Sequence, residues 1–183
     1  MAERQPTLEE KMAAKTKEEL VAHVHRAQLQ ERLLWAKSLI DMFGKEQAKR
    51  IIHNTLYPIW YDRGRADAAK LGYPQDMDSF AEMVISQLAR NPITPAPEVV
   101  ERTKNRFVLR MNKCFTADAY FKFRENPDEF RRFGGEEAFE VIKTRCDMDT
   151  ARYNGFNPRF KIRRTKFFMD GDGCCEYVVE LEE

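Results

Sequence analysis

The sequence predicts an α+β fold, with N-terminal helices packed on a C-terminal antiparallel sheet and shorter helices interspersed. Three observations lead there. Apolar residues in the first half recur at helical spacing. A stiff segment, Asn91-Pro-Ile-Thr-Pro-Ala-Pro97, then interrupts the pattern with three prolines in seven residues. The chain closes on two alternating segments joined at Asp170-Gly171-Asp172-Gly173, the signature of a β-hairpin. Helices first and mostly sheet afterwards argues against an alternating α/β fold.

Taken in order, Thr7 and Glu10 have the spacing of a capping box. Leu20, Val24, Ala27, Leu34 and Leu39 suggest a helical stripe up to Phe43, where Gly44 stops it. A second helix is expected from about Lys45 to Leu71. Ala48, Ile51, Ile52, Leu56 and Ile59 would be its core stripe, and Pro58 would kink it. Another face of that helix carries His53, Tyr57, Trp60 and Gly64. A third helix begins near Asp78, holds Phe80, Met83, Val84 and Leu88, and ends before Asn91-Pro92. Val99–Arg102 and Arg106–Cys114 read as strands. Phe115–Phe123 and Pro127–Phe133 read as short helices, and one further helix runs from Gly135 to about Tyr153. The last hairpin spans Arg159–Met169 and Cys174–Leu181. One domain is expected over 1–183: a helical half at 1–92, a connector at 93–97 and an α+β half at 98–183.

The 183 residues carry 31 basic and 30 acidic side chains, a net charge of +1. That balance gives no electrostatic reason to expect nucleic acid or an anionic membrane. No apolar run approaches the ~20 residues needed to span a bilayer, and the polar N-terminus lacks a signal-peptide core. A cytoplasmic location follows as the expectation, with thiols kept reduced. The expected partner is a small-molecule substrate or ligand, without membrane or nucleic acid; a homodimer stays open.

The four cysteines, Cys114, Cys146, Cys174 and Cys175, contain no C-x-x-C pair. On the last strand Cys175, Tyr177, Val179 and Leu181 alternate with Cys174, Glu176, Val178 and Glu180, so Cys175 is expected inside. On the partner strand Arg164 and Lys166 share the row of Phe160, Ile162 and Phe168. An arginine on a core-facing row needs an anion, because an unpaired buried charge is costly. It binds a ligand carboxylate, forms a structural ion pair, or sits where the strand end has left the core. On the helix after Gly135, Phe139, Ile142, Cys146, Asp149 and Tyr153 fall on one face. A thiol and a carboxylate three residues apart are thereby presented inward. The carboxylate could serve as a base; the alternative is a small buried cysteine beside an aspartate that is hydrogen-bonded or exposed through a bent helix end. His53, Tyr57 and Trp60 form an aromatic stripe that suits core, interface or a ligand wall. His23 and His25 are expected on an exposed helix. The basic residues Arg159, Lys161 and Arg163 alternate outward as a solvated face.

Several of these pieces together resemble the L-2-amino-thiazoline-4-carboxylic acid hydrolase-like family. They are Phe43-Gly44-Lys-Glu-Gln-Ala48, the helix containing Gly64, Cys114 at a strand end, Cys146-Asp-Met-Asp149, Phe156-Asn-Pro158, Arg164-Thr165 and Gly171-Asp-Gly-Cys-Cys175. The resemblance covers roughly residues 40–181. The chain departs from the family pattern after Cys114, where Phe115 stands in place of the usual proline. The family is similar in turn to ligand-binding domains associated with vinyl reductases, nitric-oxide sensing and Golgi transport. The resemblance implies a hydrolase that opens a small thiazoline carboxylate at its amidine-like carbon. Asp149 would then be the base or orient the substrate, Cys146 the nucleophile or a pocket wall, and Arg164 the carboxylate clamp, with Cys114 flanking. No cofactor is implied. Two other readings stand beside it. One is a non-catalytic sensor or carrier, its ligand held between the His53/Tyr57/Trp60 helix and the sheet. The other is a metal site built from Cys114, Cys146, Asp149 and Cys175.

Overall fold

The computed structural model describes residues 7, 15–74, 76–89 and 97–182. Helices α1 (Lys17–Phe43), α2 (Lys45–Lys70) and α3 (Met77–Ala89) precede strands β1 (Glu98–Arg102) and β2 (Arg106–Met111). Then come α4 (Phe115–Arg124), α5 (Pro127–Arg132), α6 (Gly135–Lys143), a 3₁₀ turn at Thr144–Asp147 and α7 (Met148–Phe156). Strands β3 (Phe160–Lys166) and β4 (Cys175–Leu181) close the chain, with a 3₁₀ turn at Phe168–Asp170 between them. The sheet is antiparallel throughout, in the order β1-β2-β4-β3. The α+β expectation is met.

A capping box does open α1, at Thr16 and Glu19: Glu19 N–H donates to Thr16 Oγ1 at 3.2 Å, and Thr16 N–H to Glu19 Oε2 at 2.7 Å. The expected box at Thr7 and Glu10 lies outside the described residues, as does the connector up to residue 96. Thr16→Ala removes a cap worth ~1 kcal/mol, so thermal unfolding should shift down by about 2–4 °C. Calorimetry on the purified variant checks this, and an unchanged midpoint would mean the first turn of α1 contributes nothing to global stability.

The stripe expected on α1 is corrected. Val24 and Leu34 are about half exposed, and the buried residues are Leu29, Leu33 and Ala36. Apolar side chains encircle this 27-residue helix, so periodicity offered more than one face. The face that packs against α4 and α6 was decided by those helices. Leu29 and Leu33 join a core with Tyr120, Phe123, Phe130 and Phe139. In it Tyr120 stacks on Phe139 at 3.3 Å between ring centroids. His25 is likewise not exposed: it stacks on Phe115 at 5.4 Å. On α2, Ala48 is buried, but Ile51, Ile52 and Leu56 are only half covered and Ile59 is half exposed. Helix α2 continues through Pro58.

A second core forms where α3 meets the sheet. Phe80 is fully buried, with Phe107, Tyr153, Phe156 and Phe160 rings 4.7–6.0 Å from its own. Inward residues of β2, β4 and β3 line up as Phe107–Val179–Ile162 and Leu109–Tyr177–Arg164. Val108 and Val178, on the opposite face, are also buried. Ion pairs Arg106–Glu180, Arg110–Glu176 and Arg163–Glu180 lie across that face, their aliphatic stems shielding the valines. Clean inside/outside alternation on β4 therefore does not hold. Cys174 is buried, while Cys175 is half covered.

Two boundaries differ where the site is built. The helix expected over Gly135–Tyr153 is broken by the 3₁₀ turn at Thr144–Asp147. Strand β3 stops at Lys166 after a register shift between Arg164 and Lys166, which leaves Lys166 exposed and puts Phe168 in the turn. Gly171 and Gly173 take φ of 96° and 71°, the left-handed region that the Asp-Gly signals anticipate. Asp172 closes the loop by accepting from Phe167 N–H at 2.7 Å.

Candidate functional site

Helix α7 is pressed against α2 at two glycines. A Cβ on Gly64 would sit 1.9 Å from Arg152 O, and one on Gly155 would sit 2.0 Å from Tyr61 O. Only backbone without side chains fits this crossing. Beside it, Arg152 Nε and Nη2 reach Asp67 Oδ2 at 2.9 and 2.5 Å, pairing a buried carboxylate across the same contact. These contacts fix the height of α7, and with it Asp149 in its first turn.

Asp149 Oδ2 accepts from the hydroxyl of Tyr177 at 3.0 Å. Tyr177 stands on the inward row of β4, opposite Arg164 of β3. The Arg164 guanidinium lies over the Phe167 ring at 4.1 Å and near the Tyr177 ring at 5.4 Å. Its Nη2 donates to Cys146 O at 2.5 Å and to Asp147 Oδ1 at 3.1 Å. The Arg164 side chain is 14% exposed, and its Nε is buried without a hydrogen-bond partner. An orphaned buried donor costs ~1–3 kcal/mol.

The thiols of Cys114, Cys146 and Cys175 are close enough to act on one another and on Asp149 electrostatically. Cys114 caps α4, its Sγ accepting from Ala117 N–H at 3.4 Å. Phe115 therefore occupies the first position of α4, where proline is well suited because that N–H needs no intrahelical partner. Cys175 Sγ accepts from Phe168 N–H at 3.4 Å.

Electrostatics assign the protons. Burial raises the Asp149 pKa above the ordinary carboxylate value, while the Tyr177 hydrogen bond, Arg164 and Arg152 pull it down less strongly. The residue as a whole is half-buried, but its carboxyl is the enclosed end. Burial pushes the Cys146 thiol up to about 12, with Arg164 opposing and Asp149 adding to the rise. At neutral pH Cys146 is thus a thiol and not a thiolate, which disfavours it as a nucleophile in this state. Burial also raises Tyr177 and Tyr153, helped by the Asp149 charge, so both keep their hydroxyl protons.

The residues anticipated from sequence divide in two. Cys114, Cys146, Asp149, Arg164 and Cys175 come together from four separate segments of the chain. His53, Tyr57 and Trp60 do not join them. His53 stacks on Tyr57 at 5.1 Å, Tyr57 on Tyr61 at 6.2 Å, and Trp60 carries the Arg63 guanidinium at 4.7 Å. These ring contacts all stay within α2, and it is the Gly64 position of that helix that is pressed against α7. A metal site from the three thiols and Asp149 is not formed: among the described residues no group of three or more such ligands is placed to hold an ion. Tyr177 and Tyr153 were legible as inward residues but not as partners of Asp149; the signal was Tyr177 standing two residues from Cys175. Open clefts lie elsewhere. One of 670 Å³ borders Asp67, Asp78 and Glu82, and one of 540 Å³ borders His23, Lys113 and Phe115. Cys146, Asp149 and Arg164 line neither.

Among the described residues no helix is long and apolar enough to cross a membrane. A family model described as L-2-amino-thiazoline-4-carboxylic acid hydrolase matches residues 24–179. No curated protein matches the chain. Among solved structures, it is similar to the crystal structure of a trafficking protein particle complex subunit 3 from Naegleria fowleri covalently bound to palmitic acid. That likeness has 14% identity, covers 91% of this chain and 95% of that one, and has a TM-score of 0.46. With the match spanning most of its length, the chain belongs to the L-2-amino-thiazoline-4-carboxylic acid hydrolase family.

Proposed function

We propose that the chain is a hydrolase of a small cyclic amidine carboxylate, of the kind its family is named for, acting at the Asp149–Arg164 cluster. The observation that carries the reading is the buried, unpartnered Nε of Arg164 beside a buried carboxylate. A substrate carboxylate would take that Nε, exchanging an orphaned donor for a charge-assisted hydrogen bond. Asp149, its pKa raised by burial, would accept a proton from water as the water oxygen bonds to the amidine carbon. The carbon–sulfur bond then breaks, and the proton held by Asp149 passes to the departing sulfur, leaving a thiol product. Tyr177 would keep the Asp149 carboxyl aimed. Cys146, protonated, would serve as wall and not as nucleophile, with Cys114 and Cys175 beside it.

The test is incubation of purified protein with L-2-amino-thiazoline-4-carboxylate, following release of the free thiol. No product at any protein concentration would overturn the reading and leave a non-catalytic ligand-binding domain. Given turnover, Arg164→Met should raise KM by about 10- to 100-fold, the weight of one charge-assisted contact. An unchanged KM would remove Arg164 from the carboxylate site.

A further inference from the structure

Residues of α1, α2 and α6 line a cleft of about 260 Å³. Its walls are apolar: Trp35 and Leu39 from α1, Ile51, Ile52 and Leu56 from α2, and Ile142 from α6. Trp35 is 65% exposed, a large aromatic surface left in water. Two arginines, Arg32 and Arg145, stand on the same cleft. Arg32 has a weak contact to Gln28 Oε1 at 3.5 Å, and among the described residues no carboxylate pairs with either guanidinium. Arg32 is half-buried, and burial first, then the like charge of Arg145, holds its guanidinium below the ordinary arginine value. Two like charges held together at the mouth of an apolar cleft are stable only at a cost that an anion would remove.

We propose that this cleft binds a small amphiphilic anion: an apolar body against Trp35, Ile51, Ile52 and Leu56, and a carboxylate or sulfonate between Arg32 and Arg145. The site is separate from the Asp149–Arg164 cluster and does not depend on what that cluster catalyses. Its volume lies just below the range of drug-sized pockets, which suits a ligand of two or three rings. The groove would hold a molecule with the charge pattern the arginines select more tightly than a neutral apolar one.

The experiment uses the whole chain with Trp60→Phe, so that Trp35 is the sole tryptophan. The probe is 8-anilinonaphthalene-1-sulfonate, and N-phenyl-1-naphthylamine is its uncharged counterpart. Titration should give saturable one-to-one binding of the sulfonate, with energy transfer from Trp35. Arg32→Gln and Arg145→Gln should each weaken that binding by about tenfold while leaving the weaker binding of the neutral probe unchanged. The neutral probe also reports that the variants keep a folded cleft. Sulfonate binding indifferent to both arginines, or binding without quenching of Trp35, would overturn the proposal. So would a dimeric mass in solution with Trp35 shielded from acrylamide before any probe is added, since a second copy would then cover the groove.

Discussion

Gly64→Ala should be among the most damaging single-atom additions this chain can receive. The new Cβ would lie 1.9 Å from Arg152 O and 2.8 Å from Phe156 N, both backbone atoms that no rotamer change can move. Helices α2 and α7 must separate, and the Arg152–Asp67 pair beside the crossing must stretch with them. Overpacking against rigid backbone costs about 3 kcal/mol or more, a fall of roughly 6–12 °C in the unfolding midpoint for a domain of this size. Gly155→Ala meets Tyr61 O at 2.0 Å and should behave alike. Since either change forces the same separation, the double variant should cost clearly less than the sum. Additive losses in thermal or urea unfolding would mean the two glycines relieve independent contacts. Because α7 carries Asp149, activity should fall in the variants that still fold.

Asp149→Asn should separate function from stability. On the proposed mechanism it removes the proton acceptor, and kcat should drop by about 10²–10⁴-fold. Stability should move the other way. Burial raises the Asp149 pKa in the folded chain, so the folded state holds that proton to higher pH than the unfolded state, whose value is about 3.9. The contribution of this group to stability is therefore full below the unfolded value. It is lost as pH rises through the folded value. Asparagine never ionises and still accepts from Tyr177. The variant should melt above the parent at neutral pH and converge with it in acid. A parent-like kcat would remove Asp149 from catalysis. A variant less stable than the parent at neutral pH would mean that attraction by Arg164 and Arg152 outweighs burial. Loss of stability to maintain a reactive carboxyl is a common trade at working sites.

Much of the fold was legible in the residues. The starts and stops of α2 and α3, the strands flanking residues 103–105 and the Gly171/Gly173 turn follow from local spacing and turn chemistry. Part of the candidate site was legible too, because Asp149 and Arg164 sit at inward positions that spacing picked out, although a 3₁₀ turn interrupts the expected helix at Cys146 and Cys175 is only half covered. Errors cluster where a helix is apolar on several sides. On α1, Val24 and Leu34 were as plausible as Leu29 and Leu33, and on α2 the His53/Tyr57/Trp60 stripe was as plausible as a wall facing the sheet.

By itself the sequence determined the class of fold, the order of its elements and the polar residues held on inward faces, since these depend on neighbours within a turn or a strand. Tertiary structure alone decided which face of α1 is core, that α2 turns Gly64 to α7 and leaves its aromatic stripe aside, and that Tyr177 meets Asp149. It also decided that the Cys146 thiol stays protonated. Each of these rests on what approaches from a distant segment: a Cβ-sized gap, a hydroxyl from another strand, or water excluded by several elements at once. None of those is written in the spacing of neighbouring residues.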